Sequence, residues 1–228
     1  IPEDFFQDHI ESQPMLINEL FRMPQLESHK TKIKNVLDKH EKAQELLYFE
    51  GFWDFSHTSP YWKNIVELGI SGLKKRAENK DGDFYKGVVL AYEGAQIYLK
   101  RLSVQARKSH KNKDRMDFVA SALENLIDNP PQNIFEGLCL IYVFFILQSE
   151  IECSYLRSFG SLDMLLYPLY KNDIEKGTFT KEQVHVLIRY FIQKLDSLKV
   201  WANQPFALCS TDESEPVNEL SYIILEEF

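Results

Sequence analysis

Three cysteines in 228 residues, Cys139, Cys153 and Cys209, are too few, too far apart and odd in number. That excludes a disulfide framework and matches no zinc motif. Glycine is scarce as well, at nine residues, and none of it forms a Gly-rich phosphate loop or a GxSxG elbow. The six histidines are scattered, with no pair four residues apart. Positive charge is in deficit. Lys and Arg number 26 against 34 Asp and Glu, giving a net charge of -8 and a pI near 5.3, which argues against a phosphate-backbone binder. The basic run RKSHKNKDR reads instead as a solvated helix end and turn. No apolar run is long enough for a bilayer: the longest, over residues 135–147, is broken by Glu136. The opening IPEDFF has neither an initiator Met nor a basic-then-apolar leader, so an internal or processed boundary and a cytoplasmic location are expected.

What is present is core material. A 44% hydrophobic fraction with sixteen Phe and eleven Tyr supports a substantial buried interior. The chain is organised around residues 157–180, RSFGSLDMLLYPLYKNDIEKGTFT. A polar tight spot at Ser158, Gly160 and Ser161 leads through Asp163 into an apolar, aromatic helix. Gly177 is its natural C-terminal breaker, and Thr180 with Gln183 forms a capping-box pair that launches the next helix.

Upstream, residues 1–24 read as short helices and turns, and residues 31–49 as an amphipathic helix. His57 lies in an aromatic-flanked loop, where it faces either the core or a cavity. Ser59 followed by Pro60 predicts an N-cap and first turn for the helix after it. Gly69 and Gly72 inside that helix each cost about 1 kcal/mol relative to Ala, for which close packing is one reason. Residues 84–109 form the strongest long helix, with Val88, Val89, Ala91, Tyr92, Ala95, Tyr98, Leu99, Leu102 and Val104 on one broad face. Residues 116–126 are helical and stopped by DNPP. The run after Asn133 is long enough to favour a buried helix over a strand. Cys139 and Cys153 read as core or half-buried thiols, without a base at recognisable spacing. Residues 181–198 form the last long helix, residues 206–209 a short strand, and Asn218 opens a closing helix that stops in mid-period, as in a piece of a longer chain. No internal repeat or domain boundary is visible. Asp163, too costly to bury unpaired, must cap a helix, meet a cation or face a polar cavity.

Three blocks carry a family likeness: HTSPYWKNIVELGISGL, SFGSLDMLLYPLYKNDIEKGTFTKEQ and FALCSTDESEPVNELSYIILE. In content, order and separation the chain resembles the glycyl radical enzymes of the pyruvate formate-lyase superfamily, in the style of the glycerol and diol dehydratase-like branch. The resemblance covers nearly all of residues 1–228, as the N-terminal part of the longer family domain. It implies a mainly α portion of an α/β barrel, helix-rich with few short strands. It also implies a parent that cleaves a C–C, C–O or C–N bond by radical chemistry. The radical glycine of that parent would be installed by an S-adenosylmethionine iron–sulfur activating enzyme.

Neither the arginine-valine-x-glycine motif nor the active-cysteine loop has a counterpart here. Cys209 stands where relatives usually carry glycine. The resemblance therefore implies a chain inert by itself, with no catalytic residue, metal ligand or bound cofactor of its own. His57, Ser158 and Asp163 are assigned to substrate binding, with an architectural role also open to Asp163; Gly160 and Asn218 are assigned to structure. Ser161 replaces the usual arginine and Met164 the usual glutamine. Lys63 and Asn64 sit where the formate-lyase branch has an arginine pair, which argues against pyruvate. Self-association through an incomplete barrel edge is expected, and a small-molecule substrate only in the full-length parent; nucleic-acid and membrane partners are not. The alternative is a stand-alone, non-catalytic helical binding or structural protein derived from the family.

Overall fold

A computed structural model describes residues 59–110, 112–152, 158–197, 206–210, 214 and 216–228, without the side chains of 149–152. Residues 1–24 and 31–49, His57 and Cys153 lie outside the described residues. Between Pro60 and Pro130 run α1 (Trp62–Glu78), α2 (Asp83–Lys108) and α3 (Lys113–Asp128), with α2 packed against both of its neighbours. Then come α4 (Ile134–Glu152), α5 (Leu162–Lys176), α6 (Lys181–Asp196) and α7 (Glu219–Glu227).

Helix α4 is the centre. Its sequence is apolar on every side, the mark of a helix with no solvent face. Ile134, Leu140, Ile141, Tyr142, Val143 and Phe145 are all buried, and α1, α3, α5 and α6 pack around it. Its N-terminus is held from two directions. Asn133 Oδ1 accepts from Glu136 N at 2.9 Å, and the buried Asp173 of α5 accepts from Ile134 N through Oδ2 at 2.7 Å. Both bonds satisfy N–H groups that a helix start leaves without an intrahelical partner.

Helix boundaries follow the local chemistry. Gly177 ends α5 at φ 67°, with Thr178 N donating to Asp173 O at 2.9 Å. The Thr180–Gln183 capping box opens α6: Gln183 N donates to Thr180 Oγ1 at 3.3 Å, and Thr180 N donates to Gln183 Oε1 at 2.9 Å. Asn218 caps α7 in the same reciprocal way with Ser221.

Four expectations are corrected. Ser59 does not cap α1: the helix begins at Trp62 without a side-chain cap, because the Ser59 hydroxyl donates to the Ser158 carbonyl instead, at 3.0 Å. The helix is also not continuous. Gly69 adopts φ 63°, ψ 178° and kinks it, and a Cβ there would stand 2.9 Å from Pro130 Cα, so the turn after α3 seats directly on the kink. On α2, Ala91 and Val104 are exposed rather than buried. Lastly, the strand over residues 206–209 reduces to one parallel bridge between Ser161 and Ala207. Cys209 turns left-handed at φ 82° two residues later, and α5 starts one residue after Ser161, so neither side extends the ladder. No other strand or bridge occurs among the described residues, and no barrel is formed by them.

Candidate functional site

The loop 158–161 is tied down from three sides. From the start of α1, Trp62 Nε1 donates to the Ser158 carbonyl at 2.7 Å, beside the Ser59 hydroxyl. The Ser158 hydroxyl accepts from Gly160 N at 3.2 Å, an ordinary side-chain turn. Gly160 has φ 63°, and a Cβ there would meet nothing within 4 Å, so its requirement is backbone conformation and not space. On the far side the 206–210 segment docks: Ala207 N donates to Gly160 O at 2.7 Å and Leu162 N donates to Ala207 O at 3.1 Å. Between Ser158 and Gly160, Phe159 is fully buried, with its ring 5.5 Å from Trp62, 5.5 Å from Phe145 and 6.0 Å from Phe191. One side chain thus joins α1, α4 and α6 at the loop.

Asp163 follows in the first turn of α5 and is 0% exposed. Its Oδ2 accepts from Cys209 N at 2.9 Å and from the Ser221 hydroxyl, while Oδ1 has no partner among the described residues. Ser221 Oγ in turn accepts from Asn218 N at 2.9 Å. A relay therefore runs from the Asn218 backbone through Ser221 to Asp163. Asn218 also donates from Nδ2 to Met164 Sδ at 3.2 Å. The carboxylate fixes both the left-handed turn at Cys209 and the first turn of α7 against α5.

An open cleft of about 630 Å³ lies between the loop, α1, α5 and the Pro130–Pro131 turn. Trp62, Phe159, Gly160, Ser161, Met164 and Lys63 are among its lining residues. Lys63 and Glu67 face each other at 3.8 Å on its rim. Ser161, Met164 and Lys63, three positions singled out from the sequence, all line this one cleft.

Of the residues singled out from sequence, Ser158, Gly160, Asp163 and Asn218 fall within one connected region. Only Gly160 lines the cleft itself; Ser158 presents its carbonyl to α1, and Asp163 points into the α5–α7 joint. Ser59 and Ser221 were missed as connectors, although Ser221, three residues after Asn218, is in the position that reciprocates an N-cap. Burial, with the nearby Glu136 charge, pushes the Cys139 thiol up to about 12, so it is not a thiolate at neutral pH. No group of three or more His, Cys, Asp or Glu among the described residues is placed to hold a metal ion.

A helical wall around a loop-lined cleft is the class of structure these observations define. The pyruvate formate lyase-like family model matches residues 6–227, and the chain belongs to that family. It is similar to the 4-hydroxyphenylacetate decarboxylase glycyl radical subunit of Clostridioides difficile, 28% identical over 155 residues, covering 61% of this chain and 17% of the relative. It is also similar to the probable dehydratase YbiW of Escherichia coli, 25% identical over 210 residues, covering 75% of this chain and 26% of the relative. Among solved structures, the B12-independent glycerol dehydratase of Clostridium butyricum in its glycerol-bound form superposes with a TM-score of 0.65 at 19% identity. That match covers 75% of this chain and 26% of the dehydratase, and shows the shared fold. The chain spans about a quarter or less of the length of these relatives.

Proposed function

We propose that these 228 residues are the N-terminal helical part of a glycyl radical lyase or dehydratase, supplying one wall of its substrate chamber. The observation that carries the reading is the bonding of Ser59 and Trp62, both lining the cleft, to the Ser158 carbonyl. It joins the segment just after His57 to the segment bearing Ser158, the two stretches that the family likeness assigns to the substrate. Radical cleavage of a C–C, C–O or C–N bond needs a closed, water-poor site with reacting groups near contact distance. An open cleft with an apolar lining supplies one side of such a site.

In this reading His57 and Ser158 contact substrate in the assembled enzyme. Asp163, turned away from the cleft, is a positioning residue that holds Cys209 and α7. The glycyl radical and the active thiol come from chain that these residues do not include, and the activating enzyme brings S-adenosylmethionine and the iron–sulfur cluster. With Ser161 and Met164 in place of arginine and glutamine, the cleft favours a neutral polyol or hydroxylated substrate over a carboxylate.

The test is to incubate the 228-residue chain with an activating enzyme and S-adenosylmethionine, then to repeat this with the reading frame extended downstream. The short chain is expected to give no glycyl radical signal by electron paramagnetic resonance and no turnover, and the extended chain both. Turnover by the 228 residues alone, or an extended frame lacking both the glycine and the cysteine loops, would sink the reading.

A further inference from the structure

Two methionines fall among the described residues, in opposite settings. Met116 is buried in α3, whereas Met164 is half-buried and lines the open cleft from the first turn of α5. The Met164 thioether is also held in place. Asn218 Nδ2 donates to its Sδ at 3.2 Å. Asn218 is itself fixed by the reciprocal cap: Ser221 N donates to Asn218 Oδ1 at 3.1 Å, and Asn218 N donates to Ser221 Oγ at 2.9 Å. Ser221 in turn donates to the buried Asp163. The first turn of α7 thus grips two consecutive residues of α5, Asp163 by its carboxylate and Met164 by its sulfur.

A thioether sulfur is a soft, weakly accepting centre with two lone pairs. In this joint one pair receives the Asn218 N–H, and the other is left for the cleft side. We propose that Met164 is a modification site, oxidised to the sulfoxide by hydrogen peroxide or a related hydroperoxide that enters the cleft, and on one face of the sulfur only. The cleft-side lone pair attacks a peroxide oxygen. The S–O bond forms as the O–O bond breaks, and the departing hydroxide takes the proton from the transferred oxygen and leaves as water. Sulfur gives up two electrons and the peroxide accepts them. The product is chiral at sulfur, so attack from one side yields a single epimer.

The face of attack decides the consequence. An oxygen added on the Asn218 side would stand between sulfur and amide and push the α7 cap away. Added on the cleft side it leaves the α5–α7 joint closed. It then gives a strong hydrogen-bond acceptor to a lining made largely of proline, aromatic and aliphatic side chains, Pro60, Trp62, Val66, Phe159 and Pro168 among them. What the cleft binds changes while α7 stays folded. The step is reversible, because each methionine sulfoxide epimer has its own class of reductase. This chemistry is the same whichever ligand the cleft takes.

The experiment is timed oxidation of the folded 228-residue chain with dilute hydrogen peroxide, followed by proteolysis and peptide mass spectrometry. The oxidised peptides are read before and after treatment with each of the two epimer-specific sulfoxide reductases. Met164 is expected to gain oxygen at least about tenfold faster than the buried Met116, as exposure dictates. One reductase should remove that oxygen almost completely and the other should leave it. Asn218→Ser and Asn218→Asp each keep a capping oxygen for α7 and lose the amide that bonds to sulfur. Both should give a mixture of epimers, with folding checked by circular dichroism. Amide exchange in α7 of the wild type should be unchanged by oxidation. Equal rates at Met164 and Met116 overturn the proposal, as do mixed epimers in the wild type. So does a single epimer that survives both substitutions, or a loosening of α7 on oxidation.

Discussion

Asp173 is a carboxylate with its back to the core. Burial, aided by the Glu136 charge and opposed by the Ile134 N–H, pushes its pKa up from 3.8 to about 6. The folded protein therefore binds a proton more readily than the unfolded chain does. Stability from this group is fully present below about 3.8 and is lost as the pH rises through about 6. We expect denaturant midpoints to fall over that window by an amount corresponding to about 3 kcal/mol at most. Asp173→Asn keeps an acceptor for Ile134 N and should flatten the profile. An Asn variant with an unchanged slope would move the titration elsewhere. At the same scale, Asp163 illustrates what one sequence leaves hidden. Its three open readings were a cap, a cation or a cavity; among the described residues the partners of its Oδ2 are Cys209 N and the Ser221 hydroxyl, 46 and 58 residues away.

Charged contacts tie α7 to α6 beside its buried Leu220, Ile223 and Ile224. Lys181 pairs with Glu219, and Arg189 forks onto Glu227 while His185 Nδ1 meets the same carboxylate at 2.8 Å. Burial would raise the Glu227 carboxyl, but the bonds from Arg189 and His185 outweigh it and hold its pKa below the usual 4.5. Its contribution is present above that value and is lost as the pH falls. Arg189→Ala should speed amide exchange in α7 with little effect on α2 and α3, by mass-resolved hydrogen exchange. Uniform loosening would contradict the clamp. Elements of this kind were legible wherever the signal was local. Gly177, the Thr180–Gln183 box and the Asn218 cap each act within four residues, and the sequence shows all of them. The kink at Gly69 and the loss of the Ser59 cap were not legible, because Pro130 and the Ser158 carbonyl cause them from far along the chain. The strand over 206–209 failed for a related reason: an apolar run predicts extension, but the left-handed Cys209 ends it.

Among the described residues, exposed apolar side chains include Leu90 and Ile97 on the outer side of α2, and Tyr222 and Leu225 on α7 with Phe228 just after it, the last three 58%, 64% and 82% exposed. Isolated exposed apolar residues are ordinary, whereas a row of them along one short helix marks a contact surface. If the fragment reading holds, oxidative footprinting should find Tyr222 and Phe228 reactive in the 228-residue chain and protected in the extended one. Equal reactivity in both would count against it. The order of the helices has a further consequence during synthesis. Of the described helices packed around it, α4 finds α1 and α3 already made when it leaves the ribosome, but α5 and α6 complete only after Asp196 has emerged. Until then one flank of the most water-averse segment in the polypeptide stays bare, and chaperone capture of nascent chains should peak in that interval.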